Sequence, residues 1–167
     1  MAGERSLGSV AKIVSGGQTG ADRAALDFAI SRDIPHGGWL PKGRKTEDGK
    51  LPETYQLQEM PSAAYSKRTK KNIQESDATL IISHGVLTGG SALTQCLAQD
   101  LGKPYLHVDL NLSSVQESAR VINAWIRHHD IRVLNIAGPR SSKDPKIYEQ
   151  TMNLLERAFL FTEADAK

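Results

Sequence analysis

The residues best suited to chemistry lie where apolar runs give way to glycine. Ser15-Gly16-Gly17-Gln18-Thr19-Gly20-Ala21-Asp22 follows the apolar run Val10 to Val14 and precedes Ala21 to Ile30, whose apolar side chains recur at helical spacing. A strand, a glycine turn and a helix in that order leave backbone N–H groups uncovered beside the positive start of a helix, which suits an anion. Two further stretches repeat the grammar: Ser83-His84-Gly85-Val86-Leu87-Thr88-Gly89-Gly90-Ser91 behind Ala78 to Ile82, and Gly138-Pro139-Arg140-Ser141-Ser142-Lys143 behind Arg132 to Ala137. In an open parallel sheet the carboxyl ends of the strands share one edge, so these three turns are expected to converge on one ligand.

Positive charge for that ligand has a local source. In the expected helix Ala63 to Ser76, the residues Tyr65, Arg68, Thr69, Asn72 and Ser76 form one polar stripe, while Lys67, Lys70 and Lys71 give a second, basic face. The stripe is either a solvated face or the lining of a site. With only Ile73 and the small Ala63 and Ala64 as apolar surface, the helix needs support from a ligand or another subunit. Arg68, with its planar fork of donors, suits a phosphate or carboxylate, and Arg68→Ala is expected to weaken ligand binding with the fold intact. Lys42, Arg44 and Arg140 are further candidates.

Other residues divide between function and plain structure. His84, directly after a strand, is the histidine placed for catalysis or anion contact. Asp109, at another strand end, either accepts hydrogen bonds from a base or pterin-like ring or caps a turn. Thr19 and Asp22 fit a capping box at a helix start. Cys96 is expected to pack inward, His128 and His129 to favour a helix dipole, and His36 and His107 to stand alone. The first loop lacks the Gly-x-Gly-x-x-Gly spacing of a dinucleotide fold and the Lys-Ser or Lys-Thr of a P-loop, which argues against ATP hydrolysis.

Composition narrows the classes. With 167 residues the chain suits a single domain, residues 1–167, with an ordered core of about 10–161 and frayed ends at 1–9 and 162–167. A net charge of +2 argues against sequence-independent nucleic-acid binding, and one cysteine excludes an internal disulfide framework. The start lacks a signal-peptide core and no apolar run is long enough for a membrane span, so the cytoplasm is the expected setting.

The elements that must position these residues alternate. Strands are expected at Val10 to Val14, near Gly38 to Leu40, at Ala78 to Ile82, Tyr105 to Asp109 and Arg132 to Ala137. Helices are expected at Ala21 to Ile30, Ala63 to Ser76, after Ser91 to Leu101, Ser114 to His129 and from Pro145. Ile34 to Gly49 is a long irregular excursion with a basic cluster, Lys42-Gly43-Arg44-Lys45. The pattern is α/β: a Rossmann-like three-layer sandwich with a mainly parallel central sheet and helices on both faces.

Together these residues resemble a known family. Ile13 to Asp27 is similar to its opening signature, and His36-Gly37-Gly38-Trp39, Pro41-Lys42-Gly43-Arg44, Arg68-Thr69 with Asn72, Leu87 to Thr94 and Asn135 to Arg140 follow in order. The family is the molybdenum cofactor carrier proteins, Rossmann-like and related to the lysine-decarboxylase-like group. The resemblance implies a homo-oligomer, a tetramer, that binds the phosphorylated pterin carrying molybdenum, protects it and hands it to molybdoenzyme apoproteins. The metal would be held by the pterin's dithiolene sulfurs, so no protein metal ligands and no catalytic residues are expected. Carried over onto this chain, the cofactor-binding set is Gly16, Gly17, Gln18, Thr19, Lys42, Arg68, Asn72, Ser83, His84, Thr88, Gly89, Gly90, Ser91, Asp109, Gly138 and Arg140. The alternative is a nucleoside-monophosphate-processing enzyme cleaving an N-glycosidic bond, or a nucleotide-sensing module. Those relatives are similar to one another in a Pro-Gly-Gly-x-Gly-Thr-x-x-Glu signature whose acid is missing here, where Thr94-Gln95-Cys96 stands.

Overall fold

Ala78 to Ser83 is buried at every position, as a strand covered on both faces must be. It lies at the centre of a computed structural model that describes residues 9–159. The elements in chain order are β1 (Lys12–Val14), α1 (Ala21–Ser31), β2 (His36–Gly37), β3 (Trp39–Leu40), β4 (Lys45–Thr46), β5 (Gly49–Lys50), β6 (Gln58–Glu59), α2 (Tyr65–Gln74), β7 (Ala78–Ser83), α3 (Gly89–Asp100), β8 (Tyr105–Asp109), α4 (Val115–His129), β9 (Val133–Ala137) and α5 (Ile147–Phe159). The expected frayed ends lie outside the described residues, except Ser9, whose hydroxyl donates to the Ile131 carbonyl at 2.7 Å.

Five strands form one parallel sheet in the order β2-β1-β9-β7-β8, with Lys12 opposite Val133, Leu134 opposite Ala78 and Ser83 opposite Asp109. Helices α1, α4 and α5 pack together on one face, and α2 and α3 pair on the other. This is the expected three-layer α/β sandwich. Strand alternation makes the two faces unlike. Leu80, Ile82, Leu134 and Ile136 join Phe28, Ile122, Ile126 and Leu154 in the main core. The opposite positions include Thr79, Ser83 and Asn135, all buried, with Asn135 donating to the Thr79 hydroxyl at 3.2 Å.

Helix α4 starts as its sequence dictates. The Ser114 hydroxyl accepts the Glu117 N–H at 3.1 Å, and Asp130 closes the other end in a left-handed conformation. Other starts differ from expectation in place or, for α1, in capping alone, and α2 begins at Tyr65 rather than Ala63. Helix α5 begins at Ile147 because the Asp144 carboxylate accepts the Lys146 N–H at 3.1 Å and holds Pro145 in a turn before it. Helix α3 begins at Gly89, so Gly89, Gly90 and Ser91 are its first turn rather than a loop ahead of it. No capping box forms at α1. Gly20 takes the cap position without a side-chain bond, and the Thr19 hydroxyl turns to Glu47 and Ser141.

The long excursion is ordered by a residue expected to bind ligand. Arg44 is buried and gives its guanidinium to four backbone carbonyls, those of Leu51, Leu57, Pro52 and Tyr55, at 2.7 to 3.3 Å. Its donors are spent inside the loop. The excursion then rests on α1 through a satellite core of Leu26, Leu40, Leu51 and Leu57, and through the Tyr55 hydroxyl on Asp27 at 2.6 Å.

Asn72 is committed in a similar way. Its side chain accepts the Trp39 N–H at 2.8 Å and donates to the Trp39 carbonyl at 3.0 Å, fixing the excursion to α2. Asn72→Ala leaves that peptide without either partner and should cost about 2 kcal/mol. Denaturant unfolding would check this, and a change below about 0.5 kcal/mol would show the clamp to be dispensable. No helix among the described residues is long and apolar enough to cross a membrane.

Candidate functional site

The site follows from strand order. Helix α3 leaves β7 toward one face and α5 leaves the neighbouring β9 toward the other, so a crevice opens at the carboxyl ends of those two strands. A cavity of about 340 Å³ occupies it, within the usual range for small-molecule sites. All three strand-end turns contribute: Gln18 after β1, Ser83, His84, Thr88, Gly90 and Ser91 after β7, and Gly138 and Arg140 after β9. Tyr65, Arg68 and Thr69 of α2 form a further wall. That stripe is therefore not a solvated face.

Arg68 sits low in the cavity, its side chain 12% exposed, with Nη1 3.4 Å from Asp22 Oδ2. The guanidinium lies against the backbone at Gly16, where a Cβ would come within 1.5 Å of Nη1. Gly16 therefore serves the approach of Arg68 rather than the cavity surface. Arg68 Nε is buried with no partner among the described residues. Burial pushes the Asp22 carboxyl up to about 6, against the attraction of Arg68 and a hydrogen bond from the Gln18 backbone.

This pair gives a pH prediction. The folded chain keeps on Asp22 a proton that the unfolded chain releases, so stability falls as pH rises from 3.8 toward about 6, with the loss complete above that. An anion beside Arg68 repels ionised Asp22, so anion affinity should strengthen as pH falls through about 6. Sulfate keeps its charge over this range and suits titration calorimetry. Asp22→Asn should flatten the profile, and equal profiles in the two proteins would exclude Asp22 as the group responsible.

Also at the cavity, α3 starts with Thr88 at its cap, and no side chain among the described residues caps it. The Lys143 ammonium lies 2.7 Å from where a Cβ would stand on Gly89, at that same helix start. Two positive features face one another there. Lys143 makes no salt bridge among the described residues. Next to it, His84 Nδ1 meets Asp144 Oδ2 at 2.6 Å, and the carboxylate fixes the ring.

The β4–β5 hairpin closes over the rim. Glu47 accepts from the Thr19 hydroxyl, the Ser142 N–H at 3.1 Å and the Ser142 hydroxyl at 2.6 Å, with Arg140 Nε at 3.9 Å. Burial would raise its carboxyl, but the Ser142 and Thr19 hydrogen bonds outweigh that and hold it below its ordinary value. Thr19 and Arg140, expected to meet the ligand, are thus engaged by a carboxylate of the chain itself. Gln18 joins the same lash, its Oε1 accepting the Glu47 N–H at 2.9 Å.

Several expected residues stand elsewhere. Lys42 is exposed and does not line the cavity, its backbone N–H donating to the Ser62 carbonyl at 3.0 Å. Gly17 also lies outside the lining, its carbonyl accepting from Arg23 at 3.2 Å. Asp109 borders a second cavity at the β8 edge, its Oδ1 accepting the Gly85 and Asn111 N–H groups at 2.8 and 2.9 Å. Cys96 is exposed in that cavity, not packed inward, because it lies on a face of α3 turned away from the buried Ser91, Thr94 and Ala98. Lys143, Asp144, Asp22 and Tyr65 were absent from the expected set although they line the first cavity. Lys143 closes the turn already read after β9 and Asp144 follows it, but their place in the cavity depends on how that turn lies against the start of α3.

Among the described residues no three His, Cys, Asp or Glu side chains gather as a metal cluster. The chain is similar to a solved structure from Syntrophus aciditrophicus SB named "Putative molybdenum carrier protein", with 63% identity and a TM-score of 0.89, covering 90% of this chain and 95% of that one. No curated protein matches. Residues 13–159 match the model of the circularly permutated YpsA SLOG family. The strand order carries such a permutation: numbered from β7 through β9 and on to β1 and β2, the sheet reads 2-1-3-4-5, the order of flavodoxin-like folds. A rotated doubly wound sheet, a crevice at its switch point and a match over nearly all the described residues agree: the chain belongs to the circularly permutated YpsA SLOG family.

Proposed function

We propose that the chain is a carrier for the molybdenum cofactor: it binds the phosphorylated pterin, shields it and releases it to molybdoenzyme apoproteins without chemistry of its own. The observation that carries this reading is the uncapped start of α3 with the Lys143 ammonium against it, in a cavity that Arg68 also lines. In this reading the phosphate lies in the cavity that the α3 start and Arg68 both line. Metal held by the cargo's own sulfurs asks no ligand of the protein. The name of the similar structure supports the same cargo class. The assembly proposed is a homotetramer in the cytoplasm.

The test is purification from a host that makes the cofactor, followed by oxidation of the protein and fluorescence detection of the released pterin. A stoichiometric fluorescent product is expected. No product, together with no binding of added cofactor, would reject the carrier reading.

One observation favours a second reading, in which the chain processes or senses a nucleoside monophosphate. His84 oriented by Asp144 has the form of a general base aimed into the cavity. Release of free base from a panel of nucleoside monophosphates, abolished in His84→Ala, would favour the hydrolase over the carrier.

A further inference from the structure

The second cavity, about 500 Å³, shares the Val86 and Leu87 wall with the first and continues along the free edge of β8. Its rim is apolar and open: Val86 is 87% exposed, Leu112 84% and Val121 42%. Its floor is rich in hydrogen-bond acceptors. The Ser83 hydroxyl donates to the Gly85 carbonyl at 2.7 Å, so it can only accept from His107 Nε2, also at 2.7 Å. That assigns the His107 proton to Nε2 and leaves Nδ1 as a lone-pair acceptor. Asp109, on the same side of β8, uses Oδ1 for two backbone N–H groups, leaving Oδ2 to accept. Ser118 lines the cavity from α4, on the other side of the β8 edge from His107 and Asp109, is 2% exposed, and its hydroxyl has no partner among the described residues. A buried hydroxyl left unpaired in a cavity wall lacks the partner that such groups almost always have.

Apolar walls above a floor of acceptors match a flat ring whose edge donates hydrogen bonds. We infer that this second cavity holds the amino-substituted oxo-pyrimidine ring of a pterin or guanine, with Asp109 and His107 accepting from its N–H and amino groups. The inference rests on the reading that the first cavity holds the anionic part of the same ligand. The shared Val86–Leu87 wall lets one molecule reach both, and a free ring without phosphate should still enter the second cavity alone.

The experiment uses the full chain with neopterin, which is fluorescent and carries no phosphate, and with sulfate as a separate probe of the first cavity. Neopterin should bind, Asp109→Asn should weaken it about tenfold or more, and Ser118→Ala severalfold. Asp109→Asn keeps an oxygen for the two backbone N–H groups, so the fold survives. The lumazine that keeps neopterin's trihydroxypropyl chain, in which an oxo group replaces the amino group, should bind about tenfold more weakly than neopterin. Sulfate affinity should be unchanged in both variants. Failure of neopterin to bind, equal affinity in both variants and the parent, or lumazine binding as well as neopterin would each overturn the ring assignment. Loss of sulfate binding alone would instead count against the anion reading of the first cavity and leave the ring assignment standing.

Discussion

Arg68→Ala is expected to lower anion affinity on the order of a hundredfold and to cost about 3 kcal/mol of folding stability. The first effect follows from position: the guanidinium lines the cavity and has an unpartnered buried Nε. The second effect departs from the sequence-based expectation of an intact fold. Asp22 is 5% exposed, and removing its only salt-bridge partner among the described residues leaves a carboxylate in low dielectric. Asp22→Asn combined with Arg68→Ala removes both charges and should recover most of the stability while leaving the anion affinity low. Sulfate calorimetry beside urea unfolding of the single and double variants separates the two roles. If the double variant regains binding as well as stability, Arg68 acts on the ligand only through Asp22.

Gly20→Ala should cost the fold about 3–5 kcal/mol. Gly20 has φ 82° and ψ −130°, a backbone region that side chains exclude. The space is closed too, since a Cβ would stand 2.4 Å from the Pro139 carbonyl oxygen and 2.9 Å from the Ser141 nitrogen, both backbone atoms. Neither can swing away as a side-chain tip can. Gly20 is where the turn after β1 presses on the turn after β9, so the same substitution should also open the cavity and weaken sulfate binding. Thermal melting with a matched Gly43→Ala control would show this. Gly43 also has a positive φ but open space around it, so a loss equal to that of Gly20→Ala would assign the cost to backbone conformation alone.

Much of this architecture was legible because strand and helix periodicities differ. The runs at Ala78 to Ile82, Tyr105 to Asp109 and Arg132 to Ala137 fall on observed strands, and Ser114 fixed the start of α4. The two-residue strand β2 was not legible, because His36-Gly37 is too short to carry a period and is defined only by its pairing with Ile13 and Val14. The excursion hid its order for a related reason. Arg44 looks like a surface cation in sequence, and only the fold reveals four carbonyls turned toward it. Thr19 and Asp22 satisfied a local capping pattern, but distant partners, Glu47 and Arg68, outcompeted it. In the cavity the glycine turns announced themselves by composition, whereas Lys143 and Asp144 depended on how the turn after β9 bends back over the start of α3.

The place of β9 has a consequence for how the molecule is made. β9 is the last strand of the sheet in the chain, yet it lies in the middle, with β1 and β2 on one side and β7 and β8 on the other. β1 has to wait for partners more than a hundred residues downstream, Lys12 for Val133 and Val14 for Asn135. Contacts that distant slow folding, because chain entropy must be lost before they form. Until β9 is made, β1 and β7 both lack the strand that joins them. The turn that β9 carries, with Arg140, Lys143 and Asp144, lines the cavity, so the crevice is complete only once β9 has taken its place between β1 and β7.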